Sequence, residues 1–284
     1  MSGYLKQAWL IAKFDMGTAL RTRRALAAVL LYTLVALATG AILVFIDMKL
    51  GRQFQTIRAA TDLASHAGDK VPSLDEVLSF FLHGDKEMAR HLLDLPLVVA
   101  GFFWVTLTFL PYLVALVSFD IVNSEVRNRS ARFVLLRCPR TVLLAGKMLS
   151  HGTLFLAVTV ISNVALFAYA WSELPGFPIA RAGLLLFEYW LITIVFGFCY
   201  LSLAALVSSL IDSGGLSLVV LFIVLVAMGT LSMNNTIGFL SPSYFKLGLW
   251  SPRLMDVAQN LLAFAGFGCV FLGLAWVRLH RRDL

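Results

Sequence analysis

The residue patterns that usually carry out catalysis are missing from this sequence. Its only Gly-Lys pair, Gly146-Lys147, lacks the upstream glycine and the following Ser or Thr of a phosphate-binding loop. Neither the His-Glu-x-x-His pattern of zinc enzymes nor the Gly-x-Ser-x-Gly turn of serine hydrolases occurs. These absences argue against an intramembrane enzyme. They also place any ATP hydrolysis on a separate chain.

One short stretch contains side chains that could bind a metal ion, namely His83, Asp85, Glu87 and His91. Imidazole and carboxylate groups are ligands that zinc accepts. The exposed face of a short polar helix produces the same spacing, and we favour that interpretation. We therefore predict no metal in this chain.

Two polar residues lie inside long apolar segments and are candidates for a transport pathway. Glu188 lies about a turn and a half into its segment, and an acid within a membrane is a functional candidate by default. At this shallow depth it would serve equally well as an interfacial anchor or as a partner of Arg181. Asn163 is in the middle of its segment, where an amide more often joins helices than binds a ligand.

The composition is that of a protein with several membrane spans. Of the 284 residues, 60% are hydrophobic, and the mean hydropathy is +0.85. The net charge of +7 would also suit a nucleic-acid partner. The basic residues flank apolar segments, however, so membrane topology and anionic lipid explain them better. Cys138 is in a basic segment, and Cys199 and Cys269 are in apolar ones, so no disulfide framework is expected.

Six apolar segments are long enough to cross a hydrocarbon core of about 30 Å, which takes roughly 20 helical residues. Residues 1–24 predict a cytosolic interfacial helix, with Trp9 at headgroup depth, followed by a basic elbow. Residues 25–284 predict a six-helix membrane domain with an extracytoplasmic insert at 47–94 and an outer re-entrant-like segment at 232–256. The predicted spans are about 25–46, 95–118, 148–171, 182–211, 215–231 and 257–277. No cleavable signal pattern precedes the first span, so we expect it to be retained.

The distribution of basic residues predicts the topology. The inner segments of this arrangement hold fourteen basic residues, and the two short outer loops hold three. Cytoplasmic loops carry the excess of Lys and Arg in membrane proteins, whereas long loops translocate largely regardless of charge. We therefore expect both chain ends in the cytoplasm.

The segment 119–147 is the longest charged stretch of one dominant sign. Its two acids are Asp120 and Glu125, and it carries six bases: Arg127, Arg129, Arg132, Arg137, Arg140 and Lys147. Apolar residues between the bases favour a short helix, and Pro139 ends it because proline cannot continue a helix. The segment is either an ordinary basic loop that sets topology or a docking element for a soluble partner.

The order of residues in this segment resembles the signature of bacterial ABC transporter permeases of the type-2 exporter class. The resemblance rests on Asp120, Glu125, Arg129-Ser130, the apolar run 133–136, Pro139-Arg140 and Gly146-Lys147. Many members of that family have Gly-Thr where this chain has Arg129-Ser130. Combined with the predicted spans, the resemblance covers nearly the whole chain.

The resemblance implies that 119–147 includes a coupling helix, which rests in a groove of an ATP-hydrolysing subunit. The residues it assigns to this coupling are Asp120, Glu125, Arg129, Arg132, Pro139, Arg140 and Lys147. Spacing alone gives Glu125 a further role, an i,i+4 pair with Arg129. The implied complex is a dimer of identical or homologous permeases with two cytosolic ATPases in the bacterial inner membrane. The partner ATPases would bind the ATP and Mg, and this chain would bind no cofactor.

We therefore predict an all-α polytopic membrane protein with six transmembrane helices and an N-terminal interfacial helix, similar to type-2 ABC exporters. Its predicted function is that of a non-catalytic permease subunit, which couples ATP hydrolysis to translocation or to mechanical work across the membrane. The insert 47–94 is a candidate contact for an extracytoplasmic partner. The alternative is an ion-coupled secondary transporter that uses Glu188, and it predicts transport without ATP.

The topology predicts which cysteines membrane-impermeant reagents reach. Cys138 should react only from the cytoplasmic side, and a cysteine introduced as Ser65→Cys should react only from outside, because a membrane separates the two positions. Maleimide labelling of intact cells and of inverted vesicles measures both. Labelling of the two positions from the same side would contradict the six-span arrangement.

Overall fold

The computed structural model describes residues 2–21, 27, 29–45, 86–123, 138–174, 177–234 and 236–281, and every regular element among them is a helix. The eight α-helices are α1 (Ser2–Arg21), α2 (Val29–Phe45), α3 (Lys86–Asp94), α4 (Leu97–Ser118), α5 (Arg140–Glu173), α6 (Ile179–Leu210), α7 (Gly214–Leu231) and α8 (Leu254–Arg281). Two 3-10 helices, Gly238–Leu240 and Pro242–Trp250, connect α7 to α8.

Five of these helices, α4 to α8, are long and apolar enough to cross a membrane, and α2 is a shorter apolar helix. This arrangement confirms the predicted fold class, an all-α polytopic membrane protein. Most of the insert 47–94 and residues 124–137 of the basic segment lie outside the described residues.

Helix α6 lies at the centre of the bundle and contacts α4, α5 and α8. Its buried face alternates large and small side chains, and Phe196, Cys199 and Ala204 are fully buried. At Gly197 an added Cβ would meet the Phe155 ring of α5 at 2.4 Å. Helices in membranes associate through close packing rather than through the hydrophobic effect. The small residues of α6 therefore allow three neighbours to approach it closely.

Helix α5 begins at Arg140, well before position 148 where the third span was predicted to start, and runs for 34 residues. Pro139 precedes it with an extended backbone, and its carbonyl accepts hydrogen bonds from the Val142 and Leu143 amides at 3.0 and 3.2 Å. Proline suits a helix start because its missing N–H would have no partner there. The sequence prediction started the span at 148, after the charged residues Arg140 and Lys147, whereas the helix includes both.

The first turns of α5 pack against the interfacial helix α1. The contact is close at Gly146, where an added Cβ would lie 2.9 Å from the Ala8 carbonyl oxygen and 2.8 Å from the Ile11 Cβ. A larger side chain would push the two helix backbones apart. Glycine is therefore required at 146 for steric reasons.

The second 3-10 helix, Pro242–Trp250, folds back against α7 and α8. Ser241 caps it, since its hydroxyl accepts from the Ser243 amide at 3.3 Å and donates to the Met228 carbonyl at 2.8 Å. Pro242 occupies the first turn. Helices of this type are short because their hydrogen-bond geometry is poor, so packing must hold this one in place.

The contact at Gly146 predicts opposite effects for two Gly→Ala substitutions. Gly146→Ala should destabilise the protein by about 1–3 kcal/mol through overpacking. Gly17→Ala, in α1, should be neutral or stabilise by up to about 1 kcal/mol, because an added Cβ at Gly17 would meet nothing within 4 Å. Thermal melting of the detergent-solubilised chain measures both effects. Equal melting temperatures for the two variants would refute the tight α1–α5 contact.

Candidate functional site

The start of the basic segment is held by side chains from two neighbouring helices. The Ser208 hydroxyl of α6 accepts hydrogen bonds from the amides of Val122 and Asn123 at 3.0 and 3.1 Å. The Ser217 hydroxyl of α7 donates to the Phe119 carbonyl at 2.8 Å. Helix ends leave carbonyl groups without partners, so Ser217 satisfies one just beyond α4.

Asp120 lies at the same end of the bundle, beside the turn that joins α6 to α7. An added Cβ at Gly214 would lie 3.8 Å from the Asp120 Cβ and 3.3 Å from the Phe119 ring. Asp120 is also close enough to His151 of α5 for an electrostatic interaction, and His151 Nδ1 lies 3.0 Å from the Ser118 hydroxyl. Asp120 therefore sits where α4, α5 and α7 meet.

Arg140 connects the end of the basic segment to the last turn of α8. Its guanidinium donates to the carbonyl oxygens of Leu279, at 2.8 Å, and of His280. Both carbonyls belong to the C-terminal turn of α8, where backbone oxygens lack helical partners and a cation is stabilised by the helix dipole. Arg140 thus ties the start of α5 to the end of α8.

Lys147 and Asp15 form an ion pair between α5 and α1. The Lys147 Nζ lies 3.0 Å from Asp15 Oδ1 and 2.9 Å from Asp15 Oδ2, and the exposed fractions of the two side chains are only 8% and 16%. A buried charge is tolerated only when it is paired. The pair therefore fixes the position of α1 along α5.

The structure describes four of the seven residues assigned to coupling, namely Asp120, Pro139, Arg140 and Lys147. They lie at the two ends of the basic segment, where it joins the bundle. Glu125, Arg129 and Arg132 lie outside the described residues. Sequence reasoning missed Ser208, Ser217 and Asp15. Only Asp15 had a detectable signal, as an isolated acid on an otherwise basic helix.

Comparison with known proteins decides the family. The sequence model described as "ABC-2 family transporter protein" matches residues 9–284, nearly the whole chain. The chain belongs to the ABC-2 family. It is therefore a membrane permease component of an ABC transporter, as its basic segment and predicted spans indicated. No curated protein matches it.

Cys138 of the permease is less accessible than its place in a basic segment suggested. Its exposed fraction is 9%, and it packs with Ala8, Ile11 and Val142. Burial raises the pKa of the Cys138 thiol above its ordinary value. The thiolate is the reactive form, so maleimide labelling at this position should be slow at neutral pH and should accelerate as the pH rises. The topology measurement therefore needs mildly alkaline buffer on the cytoplasmic side.

Asn163 lines a small enclosed cavity between α4, α5 and α6, with a volume of about 20 Å³. Thr106 and Thr193 line it as well, and the buried Trp190 Nε1 has no hydrogen-bond partner among the protein groups described. A cavity of this size holds one water molecule. Asn163 thus lines a water-sized space between helices in the described part of the structure.

Glu188 is exposed on α6, flanked by the exposed side chains of Leu184, Phe187 and Leu191. No ion pair joins it to Arg181, although the structure describes both residues. Glu188 does not point into the core of this subunit, so a role in a pathway enclosed by one subunit is not supported.

The structure describes two of the four candidate metal-binding residues, Glu87 and His91. His83 and Asp85 lie outside the described residues, and Glu87 pairs with Arg253 in an exposed salt bridge. Within the described ranges, no three His, Cys, Asp or Glu side chains lie close enough together to bind a metal ion.

The buried pair at Lys147 predicts a double-mutant result. Asp15→Leu alone should destabilise the permease by about 3–5 kcal/mol, because it leaves a buried charge without its partner. Adding Lys147→Met should restore most of the loss. Thermal melting measures the cycle, with Glu87→Gln as the control, since the exposed pair with Arg253 contributes at most about 1 kcal/mol. If the double variant loses as much stability as the two single substitutions together, the two charges do not interact.

Proposed function

We propose that this permease is the membrane subunit of an ATP-driven exporter, and that residues 119–147 receive the force from a cytosolic ATPase. The observation that carries the proposal is the anchoring of this segment at both ends. Its start is bonded to α6 and α7 through Ser208 and Ser217. Its end is bonded to α8 through Arg140 and to α1 through Lys147.

This anchoring explains how a movement at the cytoplasmic surface could reach the membrane helices. A displacement of the segment would pull on α4 and α5, which continue from its two ends, and on the three helices bonded to them. Packed helices respond to such a displacement by shifting as rigid bodies rather than by deforming. The nucleotide state of the ATPase would then bias the permease between two arrangements, provided that it binds them with different affinity.

In this proposal Lys147 has a different role from the one that the family resemblance implies. Its side chain is buried against α1, so it would act by holding the interfacial helix rather than by contacting the ATPase. The middle of the segment, which includes Glu125, Arg129 and Arg132, would contact the ATPase directly. In this arrangement α1 moves together with α5.

The proposed assembly contains two permease subunits and two ATPase subunits, with ATP and Mg bound only by the ATPases. Its location is the bacterial inner membrane, with both chain ends in the cytoplasm and the insert 47–94 outside. The exposed faces of α2 and α7 are the observation that supports a second permease subunit. Both carry rows of large apolar side chains. These are Leu30, Leu34 and Leu37 on α2 and Leu216, Val219 and Ile223 on α7. Within a bilayer, such faces contact either lipid or another subunit.

Charge exchange within the segment tests the coupling. The double substitution Glu125→Lys with Arg132→Glu leaves the number of basic residues unchanged, so topology should persist. It should weaken co-purification of the ATPase by at least about tenfold, because wrong-signed charges at a docking surface cost a few kcal/mol. Co-purification and ATP turnover in liposomes are the two measurements.

The matched control is the same exchange in the outer insert, Asp62→Lys with Arg58→Glu, which should affect neither measurement. If the inner double mutant binds the ATPase as the wild type does, the coupling assignment is wrong. Transport that proceeds in liposomes without ATP would instead support an ion-coupled transporter.

A further inference from the structure

The further inference concerns a lysine in the second 3-10 helix that reaches into the membrane bundle. The Lys246 Nζ donates a hydrogen bond to the Thr108 hydroxyl of α4 at 3.0 Å. Sequence analysis placed Lys246 in an outer loop. Thr108, however, lies half-way along α4, about 17 Å from its start at Leu97 at 1.5 Å per residue.

Neighbouring contacts show where the two ends of the 3-10 helix lie. The Ser243 hydroxyl lies 3.3 Å from that of Tyr200, which is ten residues, or about 15 Å, before the inner end of α6. At the other end of the 3-10 helix, the Trp250 ring packs edge-on against Phe103 with 4.6 Å between centroids. The Ser243 end of the 3-10 helix therefore reaches the middle part of α6, and its Trp250 end contacts α4 about 9 Å from Leu97.

Lys246 lacks a counter-charge in the described part of the structure. The ion pairs found there join Lys147 to Asp15 and Arg253 to Glu87, and neither involves Lys246. A lysine can bring its amine to the membrane surface by extending its long side chain. The Lys246 amine is instead hydrogen-bonded to a hydroxyl half-way along a membrane helix. An unpaired cation at such depth is costly and usually marks a binding site or an ion pathway.

Exposed apolar side chains neighbour Thr108 and Lys246 along the chain. Thr108 and Lys246 are both partly exposed, so a ligand could reach them. Next to them in sequence, Phe109 and Leu247 are exposed large apolar side chains. One turn further along α4, Tyr112 stacks on Phe222 of α7. Ligand sites are typically apolar surfaces with a few convergent polar groups.

We propose that Lys246 and Thr108 form a binding site for the anionic group of an amphiphile, with the apolar part of the ligand on the neighbouring side chains. Lys246 would neutralise a phosphate or carboxylate group, and the Thr108 hydroxyl could donate a hydrogen bond to the same group. The inference rests on the proposed function in one respect: it gives the chemical class of the transported substrate, an amphiphilic anion.

A binding assay on the permease alone tests this proposal, so its result does not depend on ATPase coupling. The probe is dodecyl phosphate, added to the protein in neutral maltoside detergent, and the readout is the concentration that gives half of the maximal thermal stabilisation. Wild type and Lys246→Arg should bind it. Lys246→Met should bind at least about tenfold more weakly, because hydrogen bonds to charged groups are the strong ones.

Two controls separate loss of binding from loss of folding. Lys246→Met removes a cation from apolar surroundings, so its melting temperature without ligand should equal or exceed that of the wild type. Lys13→Met removes an exposed lysine of α1 and should leave the affinity unchanged. If Lys246→Met binds dodecyl phosphate as tightly as the wild type does, the proposed site is wrong.

Inorganic phosphate distinguishes an amphiphile site from a site for a free anion. At equal concentration it should stabilise the wild type much less than dodecyl phosphate does, because it makes no apolar contacts. Equal, Lys246-dependent stabilisation by both ions would overturn the amphiphile assignment. Equal stabilisation by dodecyltrimethylammonium would overturn the anion assignment, since that probe has the same alkyl chain and the opposite charge.

Discussion

The ion pair between Lys147 and Asp15 is the interaction on which the end of the bundle beside the basic segment depends. Both side chains are largely buried, and neither charge could stay there without the other. The close approach at Gly146, one residue earlier, brings the two helices near enough for the pair to form. Together they hold α1 against the start of α5.

The other contacts at the same end of the bundle connect these two helices to the rest of it. Arg140 satisfies the last carbonyls of α8, and Ser208 and Ser217 satisfy backbone groups just after α4. Each contact fills a backbone hydrogen-bonding requirement that a helix end or a loop start creates. The same residues therefore close the helix ends and join the basic segment to the bundle, and on the proposed function they would also transmit its movement.

Much of the fold could be predicted from sequence because membrane thickness dictates the length of apolar segments. The helices α4, α6, α7 and α8 lie close to the predicted spans for this reason. The start of α5 could not be predicted, because Arg140 and Lys147 look like loop residues until their partners on α8 and α1 are known. A re-entrant-like segment was predicted at 232–256, but the depth that Lys246 reaches within it was not. Pro242 and Pro252 indicated irregular structure, but only the contact with Thr108 shows how far it reaches into the bundle.

The candidate site was predicted less completely than the fold. Family resemblance pointed to the basic segment, and the family match confirms the family but assigns no role to single residues of that segment. The residues that anchor the segment, Asp15, Ser208 and Ser217, belong to other helices and carry no motif of their own. Local sequence patterns identify a docking element more readily than the distant residues that hold it, because those contacts exist only once the chain has folded.

The central claim is that the middle of the basic segment rests on a cytosolic ATPase. Photo-crosslinking tests it most directly, with a benzoylphenylalanine in place of Asn128 and, as the control, in place of Met233, which is 84% exposed between α7 and the 3-10 helices. The account predicts that irradiation of intact cells joins position 128, and not position 233, to an ATP-hydrolysing subunit. Absence of that adduct at position 128, with the permease inserted and folded, would contradict the account.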